Sequence, residues 1–320
     1  MRAPARAQDL ILRHRVTDYR AGDLDREYEP LGLEEDHLFV YGFLPHATWR
    51  LLHPRSFDEE LSDLERGIIA AFEAEGSLDS RALEERFGAG RGMNPWGSYS
   101  RATQLALDHL HHRGLLRVVR RDRGNRVYAL TPAAVEALPG ADRLRELALI
   151  AANLLAPLPK TTFSHVVTRI RHSMRTKEVT AASVVKSIVE DGLIVEAKVD
   201  GMPYLLRPGA TAERDFDEVR IFAPFDPVVW DRRRFEHLWG WPYRFEAYTP
   251  AAKRTRGYYA MPLLWRDAMV GWANVSASKD GALDVGLGFI EKRPKEKAFE
   301  RELAAEVERL RVFLQPRSGG

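Results

Sequence analysis

The chain has 320 residues, of which 45% are hydrophobic and 29% charged, and its formal net charge at pH 7 is +2. This length is enough for two or three domains, and the composition is that of an ordinary globular protein. The absence of cysteine excludes disulfides, cysteine nucleophiles and thiolate metal sites and fits a cytoplasmic location. No apolar run approaches the ~20 residues that span a bilayer, and no secretory signal is present, so we expect no membrane partner.

The first segment, ARAQDLILRHRV, is basic and amphipathic. Leu10, Ile11 and Leu12 stand beside a cluster of basic residues, namely Arg6, Arg13, His14 and Arg15. Most chains begin with a few loose residues before the first ordered element. This segment instead has the pattern of a helix that is already under way.

Residues 61–135 have the element order of a winged helix. LSDLERGIIAAFEAEG, DSRALEERFG and SRATQLALDHLHHRG each predict a helix, and LLRVVRRD and RVYALT predict a two-stranded hairpin. In that motif the third helix enters the DNA major groove and the hairpin touches the backbone. We therefore take as candidate phosphate contacts the arginines of the third helix and the hairpin: Arg101, Arg117, Arg120, Arg121, Arg123 and Arg126. The alternative is a solvated hairpin in a winged helix that only binds other proteins.

A second winged helix is predicted over residues 141–208, ending in a hairpin around the turn Asp200–Gly201. Residues 219–316 then predict a β-rich domain with strands at Tyr243–Thr249, Tyr258–Leu264, Ala268–Ser276 and Ala282–Ile290. KEKAFERELAAEVERLRVFLQ predicts a closing amphipathic helix that packs on this sheet, with a dimer seam as the alternative. The fold class is thus α+β: tandem winged helix-turn-helix domains with a C-terminal antiparallel sheet or partial barrel and a closing helix.

Several kinds of active site find no support in the sequence. The glycines of GAGRGMNPWG match no nucleotide-binding fingerprint, and neither a Ser-His-Asp arrangement nor an HExxH motif is present. His109, His111 and His112 stand close together, but neighbouring residues face different sides of a helix, and no second cluster has metal-ligand spacing. We interpret them as a polar helix surface and expect neither a metal nor a cofactor.

The segment from Phe225 to Leu264 carries a longer match. Its elements FDP, WDRRR, YRFE, PAAKR, GYY and PLL resemble, in order and spacing, the signature of the winged-helix DNA glycosylases of the YcaQ/AlkZ type. The resemblance extends over nearly the whole chain and includes ARAQDLILRHRVTDYRAGDLDREY. It implies a scaffold of tandem winged helices and a barrel-like sheet, and an enzyme that excises alkylated bases and unhooks interstrand crosslinks.

The resemblance also bears on the catalytic residues. The family's catalytic motif is a Gln, any residue, then Gln or Asp, and the alignment places it just upstream of Met1. Residues 1–60 would then be the remnant of an N-terminal winged-helix region, either because the start codon has been assigned too late or because the gene is truncated. On this interpretation no residue of the 320 is catalytic, and the chain alone releases no base.

The implied partner is double-stranded DNA that carries damage, bound by a monomer in the cytoplasm at the nucleoid. PAAKRTRG is interpreted as a hairpin that enters the minor groove. In it Lys253, Arg254 and Arg256 would hold phosphates, and Tyr258 or Tyr259 would support the lesion by stacking or, equally, belong to the core of the sheet. Asp226, Asp231 and Arg232 to Arg234 are either functional or an internal ion-pair network. The alternative function is a winged-helix regulator without catalysis.

Overall fold

The computed structural model describes residues 3–88, 90–94, 97–122, 124–132, 138–211, 216–277, 282–315 and 317. Within these residues the helices are α1 (Ala7–Leu12), α2 (Asp23–Glu27), α3 (His46–Leu52), α4 (Asp63–Glu75), α5 (Ser80–Phe87), α6 (Ala102–His112), α7 (Gly140–Leu155), α8 (Lys160–Met174), α9 (Ala181–Glu190), α10 (Pro227–Trp230), α11 (Arg232–Trp239) and α12 (Lys297–Leu314), with a 3₁₀ turn at Ala251–Lys253. The strands are β1 (Leu33–His37), β2 (Tyr41–Pro45), β3 (Ser77–Asp79), β4 (Arg91–Met93), β5 (Tyr99–Arg101), β6 (Leu116–Asp122), β7 (Asn125–Leu130), β8 (Leu158–Pro159), β9 (Val195–Val199), β10 (Met202–Leu206), β11 (Val219–Ile221), β12 (Met261–Trp265), β13 (Ala268–Ala277) and β14 (Leu283–Phe289).

The chain divides into two compact units. The sheet unit comprises Met1–Leu24, Pro157–Thr162 and Gly209–Gly320, and the helical unit comprises Asp25–Ala156 and Phe163–Pro208. The fold class is α+β with several antiparallel sheets, as predicted. The finer division into domains at 1–60, 61–135, 141–208 and 219–316 stays a prediction.

In the helical unit, α4 to α6 precede the β6–β7 hairpin, and β3 pairs with β7 to complete a three-stranded sheet. A capping box between Ser62 and Glu65 starts α4, and Gly76 ends it with a φ of +82°. Ile68 and Phe72 lie one helical turn apart and are buried in the core cluster with Leu110 of α6. Full burial of such a side chain contributes about 1.5–3 kcal/mol, so this apolar stripe holds the three helices on the sheet.

The second half of the helical unit repeats this plan with α7, α8, α9 and the β9–β10 hairpin. Asp200 and Gly201 both have positive φ angles, +45° and +80°, as a two-residue turn of this kind requires. The turn predicted from the Asp-Gly pair is confirmed.

The sheet unit contains a four-stranded antiparallel sheet in the order β11-β12-β13-β14. Phe299, Leu303 and Leu310 of α12 belong to the same core cluster as Leu263 and Val275 of the strands. The prediction that the closing helix packs on the sheet is therefore confirmed. None of the helices in the described part of the chain has the length and apolarity needed to cross a bilayer.

The strand predicted at Tyr243–Thr249 is wrong, because these residues lie outside any strand or helix. The strand predicted at Tyr258–Leu264 begins only at Met261. Tyr243 and Trp241 are buried among Phe235 and Leu264. Aromatic residues of a packed loop thus produced the same apolar pattern as a half-buried strand.

Candidate nucleic-acid interface

Arg13 and His14 of the N-terminal basic segment have partners inside the sheet unit. Arg13 Nη2 donates to the Ile221 carbonyl oxygen at 2.6 Å and to Glu306 Oε1 at 2.7 Å. His14 Nε2 lies 3.0 Å from the same carbonyl. Burial, aided by the charge of Arg13, lowers the pKa of His14 to about 4, so the ring is neutral at pH 7. DNA contact by these two residues stays a prediction, and the geometry gives each of them a structural partner.

Glu306 is a buried acid that joins the N-terminal segment to α12 and β11 through Arg13 and Ile221. Its side chain is fully buried on α12 and also accepts the Ile221 N–H at 2.9 Å. Burial alone would raise the pKa of Glu306, but the Arg13 charge and the Ile221 N–H hold it below its ordinary value. Sequence reasoning missed this residue, although it lies in the apolar stripe of α12 between Leu303 and Leu310.

Asp226 and Asp231 are helix caps. Asp226 is fully buried, and Arg15 donates to both of its carboxylate oxygens at 2.8 Å. Asp226 also accepts the Val228 N–H at 2.9 Å, which starts α10, and Asp231 accepts the Arg233 N–H at 3.1 Å, which starts α11. Asp226 therefore forms its ion pair with Arg15, which stands 211 residues before it in the chain.

The arginines of the β6–β7 hairpin face buried acids of β1. Arg117 Nη1 donates to Glu34 Oε1 at 2.9 Å, and Arg121 forms a two-pronged pair with Glu35 at 2.7 and 2.5 Å. Arg126 Nε lies 3.8 Å from Glu35 Oε2. A carboxylate buried without a cation would be costly, so these three arginines offset the charge of β1. Phosphate contact by them stays a prediction.

The cations at the exposed side of this region are Arg120 and Arg101. Arg120 is exposed, and no described residue forms an ion pair with it. Arg101 precedes α6 and is exposed, with its Nε 3.7 Å from Glu84. Arg123 lies outside the described residues, and Arg6, in the sheet unit, is exposed.

A run of three acids in β1 is the main feature that sequence reasoning missed in the helical unit. Glu34, Glu35 and Asp36 are each only 1% exposed. Successive strand residues point to opposite faces, so both faces of β1 are covered. Asp36 accepts from His53 Nε2 and Arg55 Nη2, both at 2.9 Å. The only sign in the sequence was a run of three acids with arginines far along the chain. No short-range pattern indicates which arginine pairs with which acid.

The interpretation of the α6 histidines as a polar surface is wrong for His111. That side chain is 5% exposed, because it follows the buried Leu107 and Leu110 on the inner face of the helix. Burial lowers the pKa of His111. His109 Nδ1 lies 2.5 Å from Glu65 Oε1 and is only half-buried.

The segment PAAKRTRG is an ordered loop and not the predicted hairpin. It contains the 3₁₀ turn Ala251–Lys253. The buried carboxylate of Glu246 accepts the N–H groups of Thr255 at 3.0 Å, Arg256 at 2.9 Å and Gly257 at 3.2 Å. A side chain thus occupies the backbone donors that a strand ladder would need. Burial would raise the pKa of Glu246, but these donors hold it below its ordinary value.

Two of the three cations of this loop have aromatic neighbours. The guanidinium of Arg254 lies 5.0 Å from the ring centre of Tyr258, and that of Arg256 lies 5.4 Å from the ring centre of Trp241. Such contacts fix the planes of both guanidinium groups. Lys253 is exposed, and no described residue bonds to its ammonium group.

Exposed rings stand five residues before and five residues after Lys253 in the chain: Tyr248 is 92% exposed and Tyr258 is 41% exposed. Phe225, which is 45% exposed, has its ring centre 5.1 Å from that of Phe245. Tyr259 belongs instead to the margin of the sheet core, and burial raises its pKa to about 12. Sequence reasoning named Tyr258 and Tyr259 and missed Tyr248, which stands two residues before the PAAKR motif. We define the aromatic-lysine loop as Tyr248, Lys253 and Tyr258.

Together these observations describe one basic surface in each unit. The aromatic-lysine loop offers flat rings and a free ammonium group, a combination suited to bases and phosphates. The hairpin and α6 offer Arg120 and Arg101, which suit backbone phosphates.

Two comparisons with known proteins agree with this layout. Residues 3–313 match the sequence profile of a family described as DNA glycosylase AlkZ-like. The fold is similar to that of the Streptomyces sahachiroi DNA glycosylase AlkZ, with a TM-score of 0.62 and 14% sequence identity, over 96% of this chain and 86% of that one. At this identity the structural likeness concerns the fold alone.

Proposed function

The chain belongs to the AlkZ-like DNA glycosylase family, and on this premise we propose that it acts in the repair of alkylated duplex DNA. The reaction in which we propose it takes part is hydrolysis of the N-glycosidic bond of an alkylated base, including one arm of an interstrand crosslink. We assign the catalytic step itself to none of the 320 residues. Alkylation at N3 or N7 already makes the base a cationic leaving group. The protein must therefore mainly expose the lesion, position water and stabilise the positive charge that develops on the sugar.

The observation that carries the proposal is the aromatic-lysine loop. Glycosylases pay a few kcal/mol to deform or extrude the target nucleotide. An exposed ring that stacks on a base, held on a rigid support, offsets part of that cost. Glu246 supplies the support, because its carboxylate fixes three successive N–H groups directly before Tyr258.

The helical unit supplies the second part of the proposal. We take residues 61–135 and 141–208 to act as winged helices on the DNA backbone, with Arg120 and Arg101 as the cations still open to phosphate. These contacts read no bases, so binding should be nearly independent of sequence.

A survival assay tests the proposal in the source organism. Deletion of the gene should lower survival after exposure to a bifunctional alkylating agent, because crosslinks would persist, and a plasmid copy of the gene should restore it. Equal survival of the deleted and parental strains would argue against a repair function.

A further inference from the structure

A cationic cavity lies in the helical unit, and none of its lining residues belongs to the β6–β7 hairpin or to α6. Its volume is about 420 Å³, and its walls come from the start of α7, the end of α8 and the loops that follow α3 and α8. The charged lining groups are Arg143, Arg171, Arg175 and Lys177 against Asp58 and Glu178. Arg175 Nη2 also lies 3.7 Å from Glu59 Oε1, so three cations against two carboxylates leave a surplus of one positive charge.

The strongest feature of this cavity is a buried arginine that forms no ion pair with any described residue. Arg143 is only 8% exposed, and its Nη1 donates to the carbonyl oxygens of Leu51 and Pro54, both at 3.2 Å. Its Nε is buried and has no hydrogen-bond partner among the described residues. A buried charge is costly unless it is paired, and within the described part of the chain this guanidinium has no carboxylate bonded to it.

Glu178 does not supply the missing pair. Its Oε2 accepts the N–H of Gly140 at 3.0 Å, and so caps the N-terminus of α7. It exerts only an electrostatic effect on Arg143, and the net result of burial is a lowered pKa for that guanidinium. Glu178 and Arg143 therefore bond to different backbone groups, although both line the same cavity.

Further polar groups of the lining are also open. The hydroxyl oxygen of Thr176 is buried and has no partner among the described residues. Arg171 Nε donates to the Val179 carbonyl oxygen at 2.6 Å, and its two terminal nitrogens bond to no described residue, so they can donate to a ligand. Lys177 is exposed at the rim. Guanidinium forks and a hydroxyl are donors that match the oxygens of a phosphate group.

We propose that this cavity is a phosphate-binding site, with Arg143 at its base, Arg171 and Thr176 on its wall and Lys177 at its rim. The phosphate group belongs either to the DNA backbone or to a free phosphate compound. Only the first source rests on the proposed function.

Inorganic phosphate is the probe for the site. We would measure the melting temperature of the full chain in rising phosphate against chloride at equal ionic strength. A bound anion raises the melting temperature, and phosphate also stabilises proteins without a site. Arg143→Met separates the two effects. Its matched control is Arg145→Met, on the same helix, where the arginine pairs with Asp191 at 2.5 Å outside the cavity.

The expected result is an extra rise in wild type and Arg145→Met that is lost in Arg143→Met, with phosphate affinity at least about tenfold weaker. Lys177→Gln changes an exposed side chain and should weaken phosphate binding partly. If Arg143→Met fails to fold, Lys177→Gln serves as the test of the phosphate site. The same rise in all variants would overturn the proposal.

Duplex DNA distinguishes the sources. If a backbone phosphate fills the site, Arg143→Met lowers the slope of log affinity against log salt by about 0.9. An unchanged slope together with lost phosphate binding assigns the site to a free phosphate compound. If wild type binds no DNA, the proposed function fails while the phosphate measurement still decides this inference.

Discussion

At the scale of single residues, most of the basic side chains near the start of the chain serve the fold. Arg13 and Arg15 each form an ion pair with a buried carboxylate. Burial keeps His14 neutral by lowering its pKa. A surface arginine and an arginine over a buried acid look the same in a sequence. Their partners lie more than 200 residues away along the chain, which is why sequence reasoning assigned all three to DNA.

Glu306→Gln should destabilise the protein by about 3–5 kcal/mol, because it leaves Arg13 buried without its counter-ion. The free energy of unfolding in urea measures this. Glu308→Gln, on the same helix but exposed and paired with Arg311, should stay within about 0.5 kcal/mol of wild type. Equal effects of the two variants would contradict a structural centre at Glu306.

His14 makes stability depend on pH in a defined direction. Its pKa is about 4 in the folded chain and 6.5 when unperturbed, so between these values the unfolded state binds more protons. Stability should therefore fall as pH drops from about 6.5 towards 4, by up to about 1.4 kcal/mol per pH unit from this residue. For His14→Gln, the free energy of unfolding should change less with pH across this range than it does for wild type. The same pH dependence in both proteins would show that His14 is not buried in its neutral form.

At the scale of elements, local patterns predicted helices and turns well. The apolar stripe and terminal glycine of α4, the Asp-Gly turn and the packing stripe of α12 depend on neighbours a few residues apart. The loop around Glu246 could not be predicted, because a carboxylate inside an aromatic segment carries no sign that it will bind three N–H groups downstream. The β1 acids were missed for a related reason, since Glu34 and Arg117 are 83 residues apart.

The β6–β7 hairpin separates two kinds of arginine. Arg120→Gln should lower the slope of log DNA affinity against log salt by about 0.9 without loss of stability, because the side chain is exposed and unpaired among the described residues. Arg117→Gln should instead reduce stability, since Glu34 stays buried. Anisotropy titrations and urea unfolding measure the two quantities. The reverse assignment would refute this division of the hairpin.

Tyr248 provides the corresponding test in the sheet unit. Since its side chain is 92% exposed, Tyr248→Ala should change stability by no more than about 0.5 kcal/mol. If the ring stacks on a base, the same change should weaken binding to alkylated duplex by about 1–3 kcal/mol. Tyr259→Ala is the matched comparison, because loss of this half-buried ring should mainly lower the stability of the fold. Undiminished DNA affinity of Tyr248→Ala would remove the stacking contact from the proposal.

At the scale of the whole molecule, family membership and fold agree. The repair function and the alternative function as a regulator differ in whether the chain recognises damage in DNA or a particular base sequence. A repair protein recognises damage and tolerates any sequence. A regulator prefers one sequence by about 10³ or more. Both bind more weakly as salt rises, so salt dependence alone does not separate them.

The most direct measurement is the affinity of the 320-residue chain for three kinds of duplex at one salt concentration. These are a duplex with a single N7-alkylated guanine, the same duplex without the lesion, and unmodified duplexes of shuffled sequence. We expect the alkylated duplex to bind most tightly and the unmodified duplexes to bind alike. Equal affinity for damaged and undamaged DNA, together with a preference of about 10³ for one sequence, would contradict a function in repair.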